Sequence, residues 1–204
     1  MIRVYNTATR SVEPLVPKLA GRVGLYVCGM TVYDYCHIGH ARAMMAFDVV
    51  QRHLRRRGYE VDFVRNHTDV DDKIINRARE TGVHPLELSA RFIRELDADL
   101  DSVGLQRPTR APQVSAHIPE VIAMIERLIA REHAYVASNG DVYFAIESFP
   151  RYGALSGKKL DDLRAGERVA IEEAKRHPGD FALWKAADPE ELGWDAPFGR
   201  GRPG

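Results

Sequence analysis

The chain has 204 residues and sets 29 Lys and Arg against 29 Asp and Glu, so its formal net charge is zero. That balance excludes a whole-domain electrostatic grip on nucleic acid, and any such contact has to come from a local patch. With 45% hydrophobic and 28% charged residues the composition is that of a globular protein. No apolar run reaches the roughly 20 residues that span a bilayer. The N-terminal MIRVYNTATR lacks the charged-then-apolar pattern of a secretory signal, so a cytoplasmic location without membrane partners is the expectation. The two cysteines, Cys28 and Cys36, do not make a disulfide framework, and a metal or redox role for one of them stays open.

In chain order, RVGLYVC at 22–28 reads as a short buried strand. A loop through TVYDYC leads into a helix that starts near His37–Gly39 and runs to about Arg57, with Ala43, Phe47, Val50 and Leu54 on one face. Gly58 suits the helix stop, and EVDFVRN at 60–66 reads as a second strand. Strand, helix, strand is a βαβ unit with parallel strands. Asp69 is the expected N-cap of the next helix, with Asp71 and Asp72 in its first turn and Gly82 at its end. Pro85 opens another helix, carrying Leu86, Ile93, Leu96, Leu100 and Val103, that stops at Gly104. Pro119 starts a further helix with Ile122, Ile125 and Ile129 inward. Asn139-Gly140, between two strand-like runs, fits a type I′ hairpin turn. Residues 147–204 show few periodicities, and WDAPFGRGRPG reads as a loop in which a domain does not usually finish, so the chain is expected to be truncated.

The informative stretch is Cys28-Gly-Met-Thr-Val-Tyr-Asp-Tyr-Cys-His37-Ile-Gly-His40. It follows a predicted strand and opens a predicted helix, whose free amides bind phosphate. Gly39 lets the backbone approach a ligand. His37 and His40 are three apart and project from one side of the first turn, where they could donate to phosphate oxygens and stabilise charge developing at an attacked α-phosphate. Capping, or a simple solvated pair, explains the same spacing, and both explanations stay open. Asn66 and Thr68 fall in the loop after the second predicted strand, where ligands of open α/β sheets bind; Thr68 could also help cap the next helix. Helix-start carboxylates account for Asp69, Asp71 and Asp72 without a divalent cation. Arg52, Arg55, Arg56, Arg57 and Arg65 read as a solvated face, with nucleic-acid contact the weaker alternative, and Trp184 and Trp194 as packing residues.

His37-Ile38-Gly39-His40 matches the HIGH signature of class I aminoacyl-tRNA synthetases. The wider chain resembles the cysteinyl-tRNA synthetase family. The matching segments are YNTATR at 5–10, LYVCGMTVYDYCHIGHAR at 25–42, YEVDFVRNHTDVDDKIINRA at 59–78, HAYVASNGDVYF at 133–144, DFALWK at 180–185 and GRPG at 201–204. HIGH alone is moderately specific; the Cys-Gly-x-Thr-Val-Tyr-Asp run together with RN-x-TD-x-DDK is highly specific. The resemblance implies an α/β fold: the first, incomplete half of a Rossmann-like (HUP-type) nucleotide-binding domain over 1–115, then an α+β connective-peptide insertion over 116–204. It implies an ATP-dependent ligase that uses Mg2+ with ATP, forms cysteinyl-adenylate from L-cysteine and passes the cysteinyl group to tRNA(Cys), as a monomer.

By the same resemblance His37 and His40 are the catalytic pair, and Gly29, Thr31 and Gly39 line the ATP or adenylate. Asn66 and Thr68 orient the cysteine, and Cys28 is one ligand of a Zn2+ ion that senses the substrate sulfur; thiolate suits zinc and serine's hydroxyl does not. Cys36 matches no ligand and is expected to pack. The further zinc ligands (a Cys, a His and a Glu), a KMSKS-type loop and the anticodon-binding helices of the family are expected downstream of Gly204, so the isolated chain is expected to activate cysteine poorly. Two departures stand out: Ala43 where many members have Thr, and Phe198 in place of the Trp of a Pro-Trp-Gly turn. Competing readings are a mycothiol-type cysteine ligase, a small nucleotidyltransferase with an H-x-G-H signature, and a truncated, non-catalytic paralogue.

Overall fold

The computed structural model describes residues 1–157 and 174–204. They form two compact units, Val16–His117, and Met1–Leu15 together with Ile118–Gly204. The part of the expected insertion between 158 and 173 lies outside the described residues.

In the Val16–His117 unit, strand β3 (Arg22–Val27) pairs in parallel with β4 (Glu60–Arg65), Val23 opposite Val61 and Val27 opposite Arg65. Helix α1 (Ile38–Arg56) connects them, which is the expected βαβ unit. Its inward face differs from the sequence-based expectation. Met44, Asp48, Gln51 and Leu54 are buried, whereas Phe47 and Val50 are 39% and 43% exposed. Two polar residues sit inside around the Asp48 carboxylate, whose bonds are satisfied there, whereas Gln51 Oε1 has no partner among the described residues. Asp48 Oδ1 accepts from Gln51 Nε2 (2.7 Å) and from the Gln106 amide (3.0 Å), and Oδ2 accepts from Arg52 Nε (2.6 Å). Burial pushes the Asp48 carboxyl up, but these bonds and the Arg52 charge outweigh it and hold the group below its ordinary value. β3 is buried on one face only; Tyr26 on the other is 65% exposed, unlike the two-sided burial usual for parallel strands.

Helices α2 (Asp72–Thr81) and α3 (Pro85–Ser102) complete this unit's core, with Ile74, Ala78, Phe92, Leu96 and Leu100 packed around Val32 and Met44. Gly82 ends α2 in the left-handed conformation at φ 69°, and Pro85 follows the N-cap His84. Asp71, not Asp69, caps α2, its side chain accepting from the Lys73 amide. Asp69 is buried and turns instead to Ser115, accepting from its amide at 3.1 Å and from its hydroxyl. Arg65, expected on a solvated face, is buried, with Nη1 3.7 Å from Met44 Sδ and Nη2 3.9 Å from Asp97.

The other unit opens with an antiparallel hairpin, β1 (Arg3–Asn6) with β2 (Ser11–Pro14). Helix α4 (Ile118–Ala130) buries Ile118 and Ile125. It packs with Trp184 and Val142 of an antiparallel four-stranded sheet ordered β5 (Ala134–Val136), β6 (Val142–Phe144), β7 (Phe181–Ala186), β8 (Gly201–Pro203). The final residues are therefore partly strand, not wholly loop. The β5–β6 turn also differs from type I′. Gly140 has φ 84° but Asn139 has no positive φ, and the Gly140 amide donates to the Ala137 carbonyl. With the Ala137 amide donating to the Asp141 carbonyl, the loop is three residues long, Ser138 and Asn139 at the centre of the turn and Gly140 alone in the left-handed region. Phe198 meets Trp184 edge-on at 5.5 Å, so the unusual Phe is a packing partner.

Candidate functional site

The polypeptide leaving β3 cannot run straight into α1, because it first passes against the end of β4. A Cβ on Gly29 would lie 1.7 Å from the Asn66 carbonyl oxygen, so only glycine fits there. The Asn66 side chain fastens the crossing: Oδ1 accepts from the Gly29 amide (2.8 Å) and the Tyr26 hydroxyl (3.0 Å), and Nδ2 donates to Thr68 Oγ1 (3.3 Å). One residue pair further on, Thr31 and Thr68 form a parallel bridge, with the Val32 amide donating to the Thr68 carbonyl and the Thr68 amide to the Met30 carbonyl. The two strands are thus extended beyond their formal ends, and the loop is held open above them.

The loop closes at α1 with a reciprocal cap. His37 is the N-cap, and its Nδ1 accepts from the Gly39 amide at 3.1 Å. His40 Nδ1 accepts from the His37 amide at 3.4 Å. The two rings stack, centroids 3.7 Å apart and inclined by 29°. Gly39 is needed beneath them, since a Cβ would come within 2.8 Å of His37 Cε1. Capping and a chemical role are therefore compatible. With Nδ1 accepting, each neutral ring carries its proton on Nε2 and keeps one donor for a ligand. Burial, and then the neighbouring His37, push the His40 pKa down, so His40 is neutral at pH 7.

A cavity of about 500 Å³ opens at this point. Among the expected site residues it brings together Cys28, Gly29, Thr31, His37 and His40. Gly39, Asn66 and Thr68 are not on its lining; they support the residues that are. Ala43 and Phe47 on the exposed side of α1 form an apolar wall, and Tyr33, Asp34 and Lys73 form a polar one. The sequence reading passed over Lys73. Its signal was present, because it follows the β4 end and opens α2, the place where open α/β sheets receive ligands.

Cys28 is exposed and free, with Sγ 3.5 Å from the Gly29 carbonyl. No group of three His, Cys, Asp or Glu gathers anywhere among the described residues. A zinc site takes three or four protein ligands, so this donor set does not fit a zinc ion by itself. Cys36 packs partly buried against the core, and burial raises its pKa. No helix among the described residues is long and apolar enough to cross a membrane.

Residues 14–204 match the family described as tRNA synthetases class I (C) catalytic domain. The chain belongs to that class I tRNA synthetase family. Curated relatives named cysteine–tRNA ligase support the cysteine branch: the one from Marinobacter nauticus is 57% identical over 203 residues, that from Shewanella piezotolerans 55% and that from Hahella chejuensis 53%. Each match takes in the whole chain but 44% of the relative, so the chain spans less than half the length of these synthetases. A solved structure titled as the ternary complex of Agrobacterium radiobacter K84 agnB2 LeuRS-tRNA-LeuAMS aligns with a TM-score of 0.52 at 21% identity, over 63% of this chain and 17% of that one. At that identity it bears on the fold alone, which is the Rossmann-like mixture of helix and sheet of class I synthetases.

Proposed function

We propose that the Val16–His117 unit is the first half of the Rossmann-like (HUP-type) domain of a cysteine–tRNA ligase, and that its cavity takes ATP with Mg2+ and L-cysteine. The connective-peptide insertion is assigned to the helix and sheet after Ile118. In the parent reaction the cysteine carboxylate attacks the α-phosphorus of ATP. The bond to the bridging oxygen breaks, pyrophosphate leaves, and the adenylate then gives its cysteinyl group to the 3′ end of tRNA(Cys). The observation that carries this reading is the stacked imidazole pair with both Nδ1 atoms occupied by backbone amides. Fixed Nε2–H donors at a helix N-terminus suit an α-phosphate whose equatorial oxygens gain charge as the attack proceeds, and preorganised donors favour that state over the ground state.

Asn66 acts here by positioning. Its carboxamide holds the Gly29 amide and the Thr68 hydroxyl in register, and so orients the loop that presents Cys28 and Thr31. Cys28 is proposed to face the cysteine side of the site. Zinc would supply a thiolate-selective contact when bound, but one thiol does not hold it, and zinc enters no step assigned to these residues.

The test is ATP binding by the 204-residue chain, followed by cysteine-dependent ATP–pyrophosphate exchange. ATP should bind, His40→Asn should weaken it, and exchange should fall far below that of a complete synthetase. Absence of ATP binding overturns the nucleotide reading, and exchange at the rate of a complete synthetase overturns the assignment of this chain as an incomplete site.

A further inference from the structure

Among the described residues Lys73 is the sole Lys or Arg on the cavity lining. Its backbone amide is pinned by the Asp71 cap at 2.8 Å, which fixes the point from which the side chain leaves α2. Nζ sits 5.7 Å from the centroid of the Tyr33 ring, itself part of the lining. Among the described residues no carboxylate pairs with this ammonium. Asp34 is the one acid on the lining, and its Oδ2 lies 3.7 Å from Arg77 Nη2, outside the lining set. The cavity therefore holds a cation that is placed over an aromatic face and not neutralised by its nearest acid. The positive end of α2 adds to the same field.

We infer that Lys73 is a binding residue for an anionic group of the nucleotide, pairing its ammonium with oxygens of the phosphate chain. The inference rests on the nucleotide reading of the cavity and adds a charge to the two imidazole donors. Two kinds of contact then divide the work. The imidazoles offer short, directional hydrogen bonds to one phosphate, whereas a four-carbon stem carries a point charge that can follow a phosphate chain as it shifts or departs. At 5.7 Å from the Tyr33 centroid the ammonium is attracted by the ring quadrupole toward the cavity lining.

The experiment is titration calorimetry of the 204-residue chain with ATP and, separately, with adenosine, for the unmodified protein and for Lys73→Gln, Lys73→Arg and His40→Asn. Lys73 is exposed on α2, so Lys73→Gln should keep the unmodified melting temperature. It should weaken ATP about five- to tenfold, corresponding to about 1.0–1.4 kcal/mol, leave adenosine unchanged, and be largely restored by Lys73→Arg. If His40→Asn weakens ATP while Lys73→Gln binds it like the unmodified chain, the Lys73 assignment is overturned and the nucleotide reading survives. If Lys73→Gln weakens ATP and adenosine equally, the residue acts by shaping the cavity, and the assignment is likewise overturned. If the unmodified chain binds neither ligand, both readings fall together.

Discussion

Around Asp180 in the Ile118–Gly204 unit, donors and acceptors are matched and shut away. The buried carboxylate accepts from the Tyr135 hydroxyl at 2.7 Å, the Ile146 amide at 3.0 Å and the His177 amide at 3.1 Å. Trp184 in the same unit is fully buried, its indole N–H donating to the Gly199 carbonyl at 3.2 Å. Between residues 28 and 40 of the other unit the arrangement is the reverse. Polar groups are fixed by the backbone on one side and left facing a cavity on the other, as with the His37 and His40 rings. The first pattern stabilises a fold and offers a ligand nothing. The second gives up some burial to keep donors available. Side chains equally well held can thus have opposite purposes, and the difference lies in whether the last hydrogen-bonding atom is used.

The contrast breaks most easily at Trp184. Trp184→Ala should cost about 3–5 kcal/mol, read as a loss of stability in urea titration. Asp180→Ala comes next: three donors lose their acceptor inside the protein, and about 2–3 kcal/mol is expected, read in the same urea titration. On the open side, Gly29→Ala forces a Cβ against the Asn66 carbonyl. It should cost about 1–3 kcal/mol and disturb ligand binding more than any substitution in the sheet. His37→Ala removes an N-cap and should cost about 1 kcal/mol, while ATP affinity falls by more than that stability loss explains. If His37→Ala changes stability alone, the ring is a cap and nothing else.

The smallest effect is with pH. His40 and His67 both have pKa values lowered, first by burial, so the unfolded chain binds protons more readily than the folded one. Their contribution to stability is present above about pH 6.5, the unfolded histidine value. It declines as pH falls below that point until the folded rings also titrate. Two-dimensional NMR of the histidine ring protons should place both titrations below the free value.

What could be read in advance follows from how local each signal is. The β3–α1–β4 unit was legible because its hydrophobic runs, Gly58 and the His-Ile-Gly-His start all lie within 44 residues of chain. The face of α1 was not, because an apolar count cannot anticipate that Asp48 finds the Gln106 amide 58 positions away. Asp69 misled for the same reason, as its partner Ser115 is 46 residues on. β7 and β8 are short strands whose pairing partners are distant, and no periodicity of three to six residues distinguishes them from loop. Of the site, the histidine pair and the glycines were legible from type and spacing. The second role of Asn66, as the fastening of the Gly29 crossing, depends on two segments meeting and has no signature in either.

One consequence follows from the reciprocal cap of α1. Because the same two rings nucleate the helix and offer donors to the cavity, fraying of the first helical turn and loss of the donors are a single event. Amide exchange at residues 39–41 should therefore slow in step with ATP occupancy, and any solvent condition that melts that turn should disarm the cavity before the rest of the unit begins to open.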